Sequence, residues 1–176
     1  MTSNFAYIPN TVSDEWAEQL RLYPDPLTYP PLPQKEDIKG WLEIQSQLEK
    51  EAIESQKELL KKLNPTLKRR EIAGVKVLEI IPTTLKREDA AIIYIHGGAY
   101  TLMSAESTLS TSLPLSHASG LRTIAIDYTL APFASWIEIQ DEVLRVIKGV
   151  VKEGLEMEKA VLFGDSAGGG MAGGIT

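Results

Sequence analysis

The chain has 176 residues, of which 43% are hydrophobic and 24% are charged, a composition typical of a soluble globular protein with one sizeable core. Its formal net charge of −6 gives no long-range attraction for phosphate backbones, which argues against nucleic-acid binding. The absence of cysteine excludes disulfides, thiolate metal sites and thiol nucleophiles. Because neither a signal-peptide pattern nor a long apolar run is present, we expect a cytoplasmic protein without a membrane span.

Residues 1–66 are predicted to form an N-terminal helical segment. A short helix is predicted at 13–22, capped by Ser13, and proline makes the stretch after it irregular. Residues 35–63 are dense in charge, with apolar side chains near one face, and they predict one amphipathic helix ending at Asn64-Pro65. We expect this helix to pack on a neighbour and to contribute to a cap over an active site.

Residues 67–176 alternate between strand and helix patterns. Strands are predicted at 69–73, 75–81, 90–95, 121–126 and 160–163, and helices at 105–119, 136–153 and 166–176. This alternation indicates part of an α/β core, with a mainly parallel central sheet flanked by helices. The strand at 160–163 is expected to be an exposed apolar edge and the glycine-rich last helix to be marginal, so the isolated chain is expected to be unstable or to aggregate.

A motif with catalytic chemistry follows the last predicted strand, where the sequence is Gly164-Asp165-Ser166-Ala167-Gly168. A serine hydroxyl is a weak nucleophile, so it must be presented where a base and oxyanion donors converge. The G-x-S-x-G pattern does this by a sharp strand-to-helix turn, in which glycines avoid a backbone clash. Ser166 is therefore the candidate nucleophile. The residues expected to support it are Gly164, Asp165 and Gly168 of this motif, together with His96 and Gly97 of a second motif earlier in the chain.

A second motif lies about seventy residues earlier, where a predicted strand runs into the loop 96–100, with the sequence HGGAY. The tetrahedral intermediate of acyl transfer carries an oxyanion that needs preorganised N–H donors. We assign these donors to the backbone of Gly98, Ala99 and Ala167, the last being the residue after the nucleophile. The ring of His96 is expected to hydrogen-bond nearby backbone and hold the loop, rather than act as the general base.

A third stretch, Asp127-Tyr128-Thr129-Leu130-Ala131-Pro132, completes a set of motifs in a specific order. From about residue 70 onward, the chain resembles the hormone-sensitive-lipase-like esterases, also called bacterial family IV, of the α/β-hydrolase fold. The resemblance implies hydrolysis of short- to medium-chain carboxylic esters through an acyl-enzyme on Ser166, with no cofactor and no metal. The implied partner is a small-molecule ester, and the oligomeric state stays open.

The chain departs from the family pattern in its loops and beyond the nucleophile. Ala99 stands where the family has a third glycine, Thr129 where it has arginine, and Phe133 where an acidic residue commonly follows the third motif. In this fold the triad order is serine, then an acid, then histidine, and residues 167–176 contain neither. We therefore expect the triad acid and histidine to be absent from this chain and the chain by itself to be inactive.

Two alternatives to an esterase stay open at this stage. The first is a non-catalytic protein of the same fold, either a remnant or a ligand-binding receptor. The second is a related acyl-transfer reaction, such as amide or lactone hydrolysis, which would use the same serine and oxyanion donors.

Overall fold

The computed structural model describes residues 8–22 and 28–175, and the chain divides into two compact units, Met1–Gln34 and Lys35–Thr176. The first unit holds helix α1 (Asp14–Leu22), and the Ser13 hydroxyl accepts a hydrogen bond from the Trp16 N–H at 3.3 Å. The predicted short helix with its serine cap is thus confirmed. The predicted irregular stretch lies partly outside the described residues, at 23–27, and the predicted boundary after residue 66 stays a prediction.

The second unit contains the remaining elements in the predicted order. They are α2 (Ile38–Ser55), α3 (Lys57–Leu63), β1 (Thr66–Ile72), β2 (Val75–Ile81), β3 (Arg87–Ile95), α4 (Leu109–Ser119), β4 (Leu121–Asp127), α5 (Trp136–Lys152), β5 (Ala160–Gly164) and α6 (Ser166–Ile175). None of the helices in the described ranges is long and apolar enough to cross a membrane.

The prediction of one helix over 35–63 is wrong, because the helix breaks at Gln56. The Gln56 side chain is buried, and its amide donates to the carbonyl oxygens of Ala52 at 2.8 Å and Glu106 at 3.3 Å. The break turns α3 toward the core, where it contacts α4. The apolar periodicity across 35–63 does not reveal this inward-pointing amide.

Helix α4 begins at Leu109, four residues later than predicted. The Ser104 hydroxyl accepts hydrogen bonds from the N–H groups of Glu106 and Ser107, at 3.1 and 3.0 Å, and holds this segment in a turn before the helix. Pro114 lies inside α4 without ending it.

The five strands form one sheet in the order β1-β2-β4-β3-β5. β1 pairs with β2, and β2 with β4, in antiparallel fashion, while β3 pairs with β4 and β5 in parallel. The α/β class is confirmed, but the sheet is mixed rather than mainly parallel. The two-residue turn at Ala73 and Gly74, with φ angles of 51° and 78°, accounts for the antiparallel pairing of β1 with β2. The antiparallel pairing of β2 with β4 joins strands that are not consecutive in the chain.

Helices cover both faces of the sheet, as the sequence predicted. On one face α5 packs against the strands, and its buried contributions are Ile139, Val143, Val146 and Val150. On the other face α4 contributes Leu109 and Leu113, which pack with Tyr94 of β3 and Ile80 of β2. The carboxyl half of β3 is buried on both faces.

Among the described strands, β5 lies at an edge of the sheet. Its Val161 side chain is 51% exposed, which agrees with the apolar edge predicted there. The amino-terminal end of α6 follows β5 directly, so the candidate nucleophile lies close to this edge, beside the carboxyl end of β3.

Candidate active site

Ser166 lies at the junction of β5 and α6, as the first residue of the helix. Its φ angle is 49°, a left-handed conformation that costs a residue with a Cβ about 1–2 kcal/mol. The residue is exposed, and no described group forms a hydrogen bond with its hydroxyl. A strained, exposed serine at a strand-to-helix turn is the geometry of a nucleophile elbow.

Glycines 164 and 168 let the elbow approach the end of β3. A Cβ on Gly168 would overlap the carbonyl oxygen of Ile95 and lie 2.6 Å from that of His96, and a Cβ on Gly164 would overlap the Gly168 carbonyl. Because both positions lack a Cβ, the first turn of α6 rests directly on the carboxyl end of β3. This contact brings Ser166 beside the loop that follows β3.

The loop after β3, residues 97–104, has an unusual backbone. Gly98 has a φ of 111°, and three residues with side chains also take positive φ: Ala99 at 53°, Tyr100 at 61° and Met103 at 71°. The alanine in place of the family's third glycine therefore adopts the conformation that glycine would favour. The Gly98 carbonyl accepts the N–H groups of Thr101 and Leu102 at 3.0 and 2.9 Å, which closes the loop into a tight turn.

The three predicted oxyanion donors lie on the two segments that this packing joins. No described acceptor takes the N–H of Gly98 or of Ala99, and Ala99 is exposed. Ala167 lies in the first turn of α6, where N–H groups have no acceptor within the helix and the helix dipole favours negative charge. Two direct bonds link the loop and the elbow: Asp165 accepts from the Gly97 N–H at 3.1 Å, and the Tyr100 hydroxyl donates to the Ala167 carbonyl at 2.7 Å.

The Asp165 carboxylate connects the start of the loop to strand β3. Besides the Gly97 N–H, its Oδ1 accepts the Tyr94 hydroxyl at 2.6 Å. Burial, followed by the hydrogen bond to Asp165, raises the pKa of Tyr94, so this hydroxyl stays a neutral donor. A Cβ on Gly97 would overlap the Asp165 carboxylate, which accounts for glycine at that position. Sequence reasoning missed Tyr94, although a tyrosine in a wholly apolar strand signals a buried hydroxyl that needs a partner.

His96 is fully buried beneath the loop. Its Nδ1 lies 2.7 Å from the Gly97 carbonyl oxygen, so this nitrogen carries the proton, and its ring stacks on Tyr128 with centroids 4.1 Å apart. The Tyr128 hydroxyl donates to the His96 carbonyl at 2.8 Å. Burial lowers the pKa of His96, which keeps the ring neutral. No hydrogen bond within the described structure joins His96, or His117 on α4, to Ser166.

The third motif anchors the other side of the loop. The Ala131 N–H donates to the Tyr100 carbonyl at 2.8 Å, and the Ala131-Pro132 peptide is cis. Asp127 accepts the Ala105 N–H at 3.0 Å, a structural contact. Thr129, which replaces the family's arginine, donates its N–H and hydroxyl to Glu142 of α5 at 2.6 and 2.9 Å.

A contact whose partners the sequence did not predict comes from α2. The side-chain amide of Gln45 donates to the Thr101 carbonyl at 2.8 Å and to the Ala131 carbonyl at 3.3 Å. Gln45 lies 56 and 86 residues away from its two partners in the chain. The helical periodicity places Gln45 near the same face as the apolar residues Trp41 and Leu48, but only the fold reveals its hydrogen-bond partners.

Residues 92–176 match the family model described as the α/β hydrolase fold. The chain therefore has the α/β-hydrolase fold. Over 100 residues the chain is 37% identical to LipR of Mycobacterium tuberculosis, which carries the name of an acetyl-hydrolase; the match covers 57% of this chain and 32% of LipR.

Solved structures of esterases have the same fold. Esterase E25 matches with a TM-score of 0.79 at 24% identity, over 95% of this chain and 52% of E25. An esterase of the bacterial hormone-sensitive lipase family matches with a TM-score of 0.60 at 22% identity, over 83% of this chain and 45% of that esterase. The resemblance stated from the three motifs is thus confirmed. The chain spans about half of the length of these esterases and about a third of that of LipR.

Proposed function

We propose that the full-length protein is a serine carboxylesterase that cleaves short- to medium-chain acyl esters. The observation that carries the proposal is the exposed Ser166 hydroxyl on a left-handed elbow, beside a loop whose Gly98 and Ala99 N–H groups have no described acceptor. The acetyl-hydrolase name of LipR supports an ester with a small acyl group.

In the proposed reaction Ser166 Oγ attacks the ester carbonyl, and a general base takes its proton. The carbonyl oxygen becomes an oxyanion, which the N–H groups of Gly98, Ala99 and Ala167 stabilise. Collapse of this tetrahedral intermediate breaks the bond to the alcohol, which takes the proton from the general base and leaves. Water then attacks the acyl-enzyme by the same steps and releases the acid. Because the oxyanion forms near the N-terminus of α6, the helix dipole also stabilises its negative charge.

The general base and its supporting acid have no candidate in contact with Ser166 among the described residues. We therefore propose that both lie in a part of the full-length protein that corresponds to the portion of its relatives not spanned by this chain. It follows that the 176-residue chain by itself is proposed to be inactive.

The test is hydrolysis of p-nitrophenyl acetate and butyrate by the full-length protein and by Ser166→Ala. We expect a loss in kcat of about 10⁴-fold or more, since a triad without its nucleophile retains only the contribution of binding and the oxyanion donors. Ser55→Ala, at an exposed serine on α2, is the matched control and should keep the parent rate. Equal rates for the parent and Ser166→Ala would refute the proposal.

Matched ester, lactone and amide substrates then separate the related acyl-transfer activities. Ester binding without turnover by the full-length protein would instead favour the non-catalytic alternative.

A further inference from the structure

The loop at 97–104 is held on its outer side by one face of α2. Gln45 and Glu49 lie one helical turn apart, so their side chains project from the same face. Gln45 donates to the Thr101 carbonyl, and Glu49 accepts the hydroxyl of Ser104 at the end of the same loop. Both α2 side chains are partly buried, unlike Gln47 between them, which is exposed.

This loop needs external support to keep its shape. Ala99, Tyr100 and Met103 all hold left-handed backbone conformations, which are unfavourable for residues with a Cβ. Such conformations persist only when the surroundings impose them. The bonds from Gly98 to Thr101 and Leu102 are internal to the loop and fix its curvature. The bonds from Gly97 to Asp165 and from Tyr100 to Ala167 tie the first half of the loop to the elbow, which leaves the second half, from Thr101 onward, to be held by α2.

The side-chain amide of Gln45 hydrogen-bonds both the loop at 97–104 and the third motif. Both hydrogens of its amide point at backbone carbonyl oxygens, and because neither partner can donate, the NH₂ group must face them. The second partner, Ala131, in turn donates its own N–H to the Tyr100 carbonyl. Three hydrogen bonds thus connect α2, the loop and the third motif through Gln45 and Ala131.

We propose that Gln45 is a positioning residue for the oxyanion hole. Through Thr101 and Ala131 it fixes the loop so that the N–H groups of Gly98 and Ala99 face the carbonyl that Ser166 attacks. The inference rests on the proposed function, and it gives helix α2 a part in catalysis. Gln45 itself does not touch the substrate.

The test compares Gln45→Met and Gln45→Glu in the full-length protein. Methionine keeps the length of the side chain but removes the donor, and glutamate keeps the shape but presents a carboxylate to two carbonyl oxygens. We expect kcat on p-nitrophenyl butyrate to fall about 10-fold for methionine and about 100-fold for glutamate, since small displacements of catalytic groups cost this much. KM should change by no more than about twofold, because the loss is confined to the transition state.

The matched control is Gln47→Met on the same helix, since Gln47 contacts only Glu51 on the exposed side. It should keep the parent kcat. A role in packing alone predicts the opposite order, with glutamate, which has the shape of glutamine, closer to the parent than methionine. That order, or a parent-like kcat in both variants, would overturn the inference.

Hydrogen exchange measures the anchoring without reference to activity. In Gln45→Met the amides of Thr101 and Leu102 should exchange at least about tenfold faster, while α5 keeps its protection. Unchanged exchange at 97–104 overturns the inference, whether or not the protein hydrolyses esters. Equal turnover by the parent and Ser166→Ala is a different result, which refutes the proposed function. In that case the exchange measurement alone tests whether Gln45 anchors the loop.

Discussion

Replacement of Gly168 by alanine tests the close contact between α6 and β3. The added Cβ would lie 2.6 Å from the His96 carbonyl oxygen, about 0.8 Å short of the 3.4 Å at which ordinary contact begins, and closer still to that of Ile95. Both obstacles are backbone atoms, so α6 must move as a unit. Overpacking of this kind costs about 1–3 kcal/mol, and the helix propensity of alanine returns at most about 1 kcal/mol.

We therefore expect Gly168→Ala to lower the free energy of unfolding by about 1–2 kcal/mol in urea denaturation followed by circular dichroism. Gly170→Ala is the control in the same helix, because its Cβ would meet only the Tyr100 hydroxyl, at an ordinary 3.4 Å. That variant should match or exceed the parent by up to about 1 kcal/mol. A Gly168→Ala protein as stable as the Gly170→Ala protein would refute the proposed contact.

Three further variants test the hairpin, the buried ion pair and the histidine. Ala73→Asn should raise the free energy of unfolding by about 1 kcal/mol in urea, since asparagine tolerates the φ of 51° at this exposed turn better than alanine. Glu79→Gln should lower it by about 2 kcal/mol, because the 90% buried carboxylate bonds Arg122 at 2.9 Å and lies 3.7 Å from Arg70; an unchanged urea midpoint would contradict this. Burial lowers the pKa of His96 below its ordinary 6.5, so the unfolded chain binds more protons and stability falls as the pH drops below 6.5. His96→Asn should flatten that slope by up to about 1.4 kcal/mol per pH unit, and an unaltered slope in pH-dependent unfolding would exclude this contribution.

Much of the core followed from the sequence because its signals are local. The buried strand at β3 and the amphipathic α5 are close to their predicted positions, because their apolar periodicity reports the faces that they bury. The mixed sheet was missed because β2 pairs with β4, a strand that does not follow it directly in the chain, and no local pattern sets the direction of that pairing. The break at Gln56 was missed because one acceptor of its side-chain amide, the Glu106 carbonyl, lies 50 residues away in the chain.

In the candidate site, too, the residues in local motifs were predicted and those with distant partners were not. The glycine motifs predicted where Ser166 and the loop at 96–100 would lie, and the structure brings them together at the carboxyl end of β3. The side chains that hold this arrangement act across the fold, Tyr94 through one hydrogen bond and Gln45 through two. No spacing rule predicts such contacts, since they depend on how α2 packs and on the curvature of the loop.

The most direct test of the central claim is covalent labelling of the full-length protein with a fluorophosphonate, followed by peptide mass spectrometry. Such reagents react with a serine that is activated and placed beside oxyanion donors. We expect a single adduct on Ser166, which is lost in Ser166→Ala and forms more slowly in Gln45→Met. An adduct on a different residue, or equal labelling of the parent and Ser166→Ala, would contradict it.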